Sequence, residues 1–300
     1  MRELSQTIAS SYIYVFPSGP IPVTTGKFGS GGFPANGGWY AGNPASIQPI
    51  QYYLKDRVSS GEVKIEIYDA SGKLVQTVPA TKRKGINKVY WNLRYTPPKV
   101  AKGGAKLDGG AFTAPQVMPG DYKMKLKIGS KEYTSDLKLV HDTSNRSFTL
   151  EDRTLQHASA MKLYQMHEDL SALVEKISAE QKLVKESDTA IKTVKTRKMT
   201  DEYHAKLETL RSELLATKQK SIFADEEKLR EQISEIYSAI SYQEARPTNL
   251  QLERIAQLQE EIKKANENYT KLNESYAAKV REAIDAEKKI GAGGKARSSN

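Results

Sequence analysis

The sequence predicts a multidomain chain, β first and α second, in which a small antiparallel β-sandwich is followed by a long antiparallel three-helix bundle. Three observations carry the prediction. Apolar residues alternate with a period of two through much of residues 51–140, they recur at spacings of three and four beyond Asn145, and Gly- and Pro-rich tracts interrupt the first part far more than the second. The 300 residues, 38% hydrophobic and 27% charged, suffice for two ordinary domains. No stretch approaches the roughly 20 apolar residues of a membrane-spanning helix. The N-terminus lacks the basic-then-apolar layout of a signal peptide.

Residues 1–46 read as a Gly/Pro-rich linker, because the chain from about Phe16 to Pro49 is dense in Gly, Pro, Ser and Asn and has neither period. Phe28, Phe33, Trp39 and Tyr40 are aromatic spots that could dock this segment onto a neighbour. Strands occupy 47–143. Val63, Ile65 and Ile67 alternate with Lys64, Glu66 and Tyr68, and Asp69-Ala70-Ser71-Gly72-Lys73 supplies turn chemistry before Leu74 to Val78. A second apolar cluster is Ile86, Val89, Trp91 and Leu93. A third sets Tyr122, Met124, Leu126 and Ile128 against Lys123, Lys125 and Lys127, and Gly129-Ser130 turns the chain into Tyr133 to Val140. Strands with one apolar face must pair face to face, which gives the sandwich. The tract from Thr96 to Met118, rich in Gly, Ala, Lys and Pro, reads as a mobile loop between two strands.

The helical bundle spans 147–290. Leu163, Met166, Leu170, Leu173, Ile177, Val184, Ile191 and Val194 make one stripe, with interruptions at Glu180 and Ser187, and predict a helix from about Glu151 to Thr196. A second stripe starts at Leu207, Leu210 and Leu214 and continues in slipped phase at Leu229, Ile233, Ile236 and Ile240, which predicts a break near Ser221 to Asp225. Pro247 should end that helix. Thr248, with Gln251 three residues on, should cap the next, whose stripe runs from Leu252 and Ile255 to Ala283. Residues 291–300 read as a disordered tail.

Charge is uneven. Residues 47–143 hold 17 Lys and Arg against 9 Asp and Glu, a net of +8, while residues 144–300 hold 27 against 26. Outward lysines on strands blunt sheet edges, so part of that excess is structural. The best nucleic-acid candidate is Lys82-Arg83-Lys84 with Lys88, Arg94, Tyr90 and Tyr95, yet the run is short and turn-like. Trp91 lies on the apolar side of its strand and reads as core. Cysteine is absent, which excludes disulfides and thiol chemistry. His141, His157, His167 and His204 are the four histidines; Asp201 and His204 stand three apart, but one partial match makes no metal site, and surface or cap roles are expected for all four. Gly26-Lys27-Phe28-Gly29-Ser30-Gly31-Gly32 lacks the Gly-Lys-Ser/Thr that opens a helix in a phosphate loop. No catalytic, cofactor-binding or metal residue is nominated, and no cofactor is expected.

The span Val63 to Val75, then Gly85-Ile86-Asn87-Lys88-Val89-Tyr90-Trp91-Asn92, then Pro119-Gly120-Asp121-Tyr122, resembles the FlgD-type Ig-like domain. In this order, with Gly42-Asn43-Pro44 before Gln51-Tyr52-Tyr53-Leu54-Lys55, and with Tyr237-Ser238-Ala239-Ile240 and Glu244-Ala245-Arg246-Pro247-Thr248, the chain is similar to the C-terminal region of exported bacterial sortilin-like, BNR-repeat β-propeller proteins often labelled glycosyl hydrolases. The resemblance covers about residues 40–285. It departs at His141-Asp142-Thr143-Ser144, where the family commonly shows Asp-Pro-Arg, and the propeller is absent. The resemblance implies a non-catalytic accessory or scaffold module, partnered by a propeller in cis or in trans, with the helices as an assembly surface and a periplasmic or secreted location. The alternative is part of a polysaccharide-acting glycoside hydrolase whose catalytic blades lie elsewhere. A nucleic-acid binder, resting on charge alone, is the weakest reading.

Overall fold

A computed structural model of the chain describes residues 5–24, 48–103, 112–217 and 226–297. β-Sheets occupy its first part and helices its second. By internal contacts the chain divides into two compact units, one of Met1–Pro97, Ala114–Met161 and Ala239–Pro247, the other of Pro98–Thr113, Lys162–Ser238 and Thr248–Asn300.

In the first unit a short helix, α1 (Gln6–Ser10), precedes the strands β1 (Ile13–Val15), β2 (Ile21–Val23), β3 (Gln48–Leu54), β4 (Val63–Asp69), β5 (Leu74–Pro79), β6 (Gly85–Trp91), β7 (Gly120–Ile128) and β8 (Lys131–His141). They form a three-stranded sheet in the order β1-β3-β6 and a five-stranded sheet in the order β2-β8-β7-β4-β5. The larger sheet is mixed. Its strand β2 runs parallel to β8, with Ile21 facing Leu139 and Val23 facing His141, while its other pairs are antiparallel. This corrects the expected all-antiparallel arrangement. It also corrects the expected linker, since α1, β1 and β2 fall within residues 1–46. The cause is local: Ile13 and Val15 pack on the core, Ile21 and Val23 enter it, and Pro22 lacks only an amide that an edge strand can do without. Phe28, Phe33, Trp39 and Tyr40 lie outside the described residues, as does Gly42-Asn43-Pro44.

Side chains of both sheets meet in one core that includes Tyr52, Leu54, Ile65, Ile67, Trp91, Met124 and Leu126. On β6 the inward positions are Asn87, Val89 and Trp91, so Ile86 faces out, unlike the other members of its predicted apolar cluster. Leu93 adopts a left-handed backbone at φ +54°, a conformation costing a non-glycine residue on the order of 1 kcal/mol. Burial holds it there. Its side chain is 1% exposed, and its carbonyl accepts the amide of Val117 at 2.9 Å.

Among the described residues four longer helices follow: α2 (Leu150–Ser187), α3 (Val194–Leu214), α4 (Leu229–Ser241) and α5 (Asn249–Arg297). The first unit takes the start of α2 and the end of α4; the rest belongs to the second. The helix predicted over 151–196 is two helices, because the chain breaks after Ser187 and restarts at a cap. Thr193 Oγ1 accepts the amide of Thr196, and Glu287 of α5 accepts the amides of Lys192 and Thr193 at 3.1 and 3.2 Å. A carboxylate at a helix N-terminus meets exposed amides and the positive end of the helix dipole. The Thr193 hydroxyl, then the Lys192 amide, hold the Glu287 carboxyl at about 2.

Neighbouring helices in the second unit are joined by polar contacts along apolar stripes. Gln181 of α2 donates to Glu208 of α3 at 2.8 Å, Tyr203 of α3 stacks on Tyr276 of α5 at 5.6 Å, and Arg281 of α5 bonds Glu180 of α2. Thr193 meets Glu287 while Tyr203 meets Asn273, so α3 and α5 are antiparallel. Arg254 of α5 donates to Gln232 of α4. The buried face of α4 is Leu229, Ile233, Tyr237 and Ile240; Tyr237, not the predicted Ile236, fills the third position. The predicted break at 221–225 lies outside the described residues, between α3 and α4.

Between α4 and α5 the helix stops, as Pro247 predicts. Thr248 Oγ1 accepts the amide of Gln251 at 3.2 Å and Gln251 Oε1 accepts that of Thr248 at 2.9 Å, which is the predicted reciprocal cap. Helix α5 continues to Arg297, past Gly291 where composition predicts disorder, because lengthening an existing helix needs no new nucleus. The tract Thr96 to Met118 is held where it is described, against the expectation of a mobile loop. In the second unit Lys99 donates its amide to Glu168 at 2.6 Å, Arg230 Nε donates to the Ala101 carbonyl at 3.1 Å, and the Tyr237 hydroxyl donates to the Thr113 carbonyl at 2.8 Å. Among the described residues no helix is long and apolar enough to cross a membrane.

Candidate functional site

The outward face of the five-stranded sheet is a lattice of opposite charges. Strand register aligns Lys64, Lys127 and Glu132 in one row, Glu66, Lys125 and Thr134 in the next, and Tyr68, Lys123 and Asp136 in a third. Lys127 Nζ lies 2.7 Å from Glu66 and 3.1 Å from Glu132, and Lys64 lies 3.2 Å from Glu66. Lys125 bonds Glu132 at 3.2 Å and sits 5.2 Å from the Tyr68 ring centre. The Lys127 ammonium, then the Tyr68 hydroxyl, hold the Glu66 carboxyl at about 2. These lysines are neutralised in place.

Beside the lattice an open groove of about 730 Å³ runs past the β4–β5 turn, lined among others by Ser18, Tyr68, Asp69, Asp121, Lys123 and Lys138. Asp69 is committed to its turn: Oδ1 accepts from the Ser71 amide at 2.9 Å, the Ser71 hydroxyl at 2.6 Å and the Lys73 amide at 3.0 Å. These contacts, the Ser71 hydroxyl first, pull its carboxyl below the usual range. Gly72 completes the turn at φ +83°. Across β7 and β8, Lys123 faces Asp136 and Asp121 faces Lys138, so the lining charges alternate and cancel.

The histidines divide. His141 Nε2 lies 3.1 Å from the Phe148 carbonyl, a local contact before α2, and His204 is half-buried on α3. His167 corrects the expected surface or cap role, and His157 is half-buried against its neighbours. His157 Nδ1 lies 2.9 Å from the Gln116 carbonyl and its ring packs 5.7 Å from Tyr95, while burial lowers its basicity. His167 is 1% exposed and meets the Tyr237 ring edge to face at 5.4 Å, and burial, with the Arg230 charge adding, pushes it down to about 4. Among the described residues no three His, Cys, Asp or Glu are placed to hold a metal, and Asp201 is exposed. The Gly26 to Gly32 segment lies outside the described residues.

The basic candidate set is split by the fold. Arg94 donates to the Ala114 carbonyl at 2.6 Å, Tyr95 packs on His157, and Trp91 is core as predicted, its Nε1 donating to the Arg94 carbonyl at 3.1 Å. Lys82, Arg83, Lys84, Lys88 and Tyr90 stay exposed. Sequence reading missed Arg153 altogether. Its guanidinium, 2% exposed, bonds Glu244 at 2.9 Å, the Val23 carbonyl at 3.0 Å and Gln116 at 3.1 Å, and lies 5.0 Å from the Phe148 ring centre. The signal was present as a polar stripe, Arg153, Gln156 and Ser159, at the spacing of a buried helix face. Neither the family models nor the curated proteins nor the solved structures provide a significant match to this chain.

Proposed function

We propose that the chain is a non-catalytic accessory module: a FlgD-type, Ig-like sandwich carrying a three-helix bundle, from the C-terminal region of an exported sortilin-like β-propeller protein. The observation that carries the reading is the corner at the start of β7. The Tyr122 hydroxyl donates to the Met118 carbonyl at 2.8 Å while its ring lies 6.0 Å from Trp91 in the core that both sheets share. A tyrosine near the start of a strand, tied to backbone a few residues upstream, is a recurrent feature of Ig-like sandwiches. Strand order supports the same reading, with β1 in one sheet and β2 parallel to β8 in the other. The bundle reading takes α3 and α4 as two segments of one limb between α2 and α5.

In this role the sandwich packs on a propeller, in cis or in trans, and the helices serve as spacer or assembly surface, in the periplasm or outside the cell. The charge-balanced groove favours a second reading, in which the chain contributes a sugar-binding surface to a glycoside hydrolase whose catalytic blades lie elsewhere. An assay of the pure chain on aryl glycosides and sialosides tests the non-catalytic claim. No turnover above buffer is expected; turnover that follows the protein through successive purification steps contradicts it.

A further inference from the structure

The three-stranded sheet presents a different outer face from the neutralised lattice. On β6, Ile86, Lys88 and Tyr90 point outward; Ile86 is 42% and Tyr90 54% exposed, and Lys88 Nζ lies 5.3 Å from the Tyr90 ring centre. Register sets Tyr53, Gln51 and Pro49 of β3 beside them. At one end, residues 55–58 run alongside the turn 81–85, where the Val58 amide donates to the Lys82 carbonyl at 3.1 Å. That end gathers Lys55, Arg57, Lys82, Arg83 and Lys84 around one carboxylate, Asp56, which pairs with Lys84 at 3.6 Å. Among the described residues Lys55, Arg57, Lys82, Arg83 and Lys88 have no ion-pair partner.

The basic turn is also tied down by hydrogen bonds. Asn87, 3% exposed, accepts from the Thr81 hydroxyl at 2.6 Å and the Arg83 amide at 3.2 Å, and donates to the carbonyls of Arg83 at 2.7 Å and Gly85 at 3.0 Å. The buried Tyr52 hydroxyl donates to the Thr81 carbonyl. Like charges are therefore held close on a preformed loop, so a polyanion bound there orders little backbone and releases counterions.

We propose that this face binds single-stranded nucleic acid, with phosphates along the basic end, a base stacked on Tyr90 and a sugar against Ile86. A sheet face with an exposed ring offers a stacking platform, whereas duplex reading needs a helix or ribbon that enters a groove. The test is fluorescence anisotropy of labelled oligo-dT of about 20 nucleotides, titrated with the full chain at about 50 and 200 mM salt. Affinity should fall about tenfold or more between the two salts. Tyr90→Ala should weaken binding about fivefold or more. The pair Arg83→Glu and Lys84→Glu should abolish it, and Lys125→Ala, on the other sheet, should leave it unchanged. All substituted side chains are at least partly exposed, and circular dichroism of each variant is the check that it folds. Absence of binding at the lower salt, indifference to Tyr90→Ala, or stronger capture of a duplex or an acidic polysaccharide than of oligo-dT overturns the proposal.

Discussion

His167 shows what a single buried residue does to the whole. It sits on α2 in a stripe of Leu163, Met166 and Leu170, its ring against Tyr237 and near the Arg230 charge, and neither ring nitrogen has a hydrogen-bond partner among the described residues. The neutral ring is the one the fold accepts. The unfolded chain, at the ordinary 6.5, takes up its proton first, so the stability contributed by the neutral ring is complete above that value and is lost as pH falls towards 4. The full span corresponds to roughly 3 kcal/mol. Urea unfolding followed from pH 7 to 4 should therefore show a steeper loss in the natural chain than in His167→Leu. Parallel curves would show that the ring is protonated without cost. Sequence alone marked His167 only as one histidine among four, since the helical spacing that buries it depends on which face of α2 the neighbouring helices cover.

At the scale of elements, what was legible depended on how local its cause is. The stop at Pro247 and the cap at Thr248 and Gln251 were legible because every bond lies within four residues. Replacing Thr248 by Ala should cost about 1 kcal/mol, while Asp in its place should retain most of the stability, as measured by chemical denaturation. Equal stability of all three forms would mean that the cap is idle. The β4–β5 hairpin was legible for the same reason, through Asp69 and Gly72. The pairing of β2 with β8 was not, because nothing in Ile21-Pro22-Val23 points to a partner more than a hundred residues on. The break after Ser187 was visible only as an interruption in the stripe; its cause, Glu287 reaching the restart of α3, lies a helix away. Composition likewise read Thr96 to Met118 as mobile, because the carboxylate and guanidinium that hold the backbone at Lys99 and Ala101 belong to Glu168 and Arg230.

For the molecule as a whole, the order of β part and helical part followed from periodicity, and the uneven charge followed from counting. The distribution of that charge over two sheet faces did not. Glu66 and Glu132 neutralise one face, and only strand register reveals that they meet Lys64, Lys125 and Lys127 there while Lys82 to Lys88 lie on the other sheet's side. The central claim, an accessory module that works by packing on a propeller, makes one direct demand. If the claim holds, the coding sequence next to that of this chain, upstream in the same or an adjacent frame, specifies propeller repeats, and the propeller so encoded forms a complex with the chain. Size-exclusion chromatography with light scattering on the two purified polypeptides should then give one peak at the summed mass. Separate elution at micromolar concentrations would contradict the account.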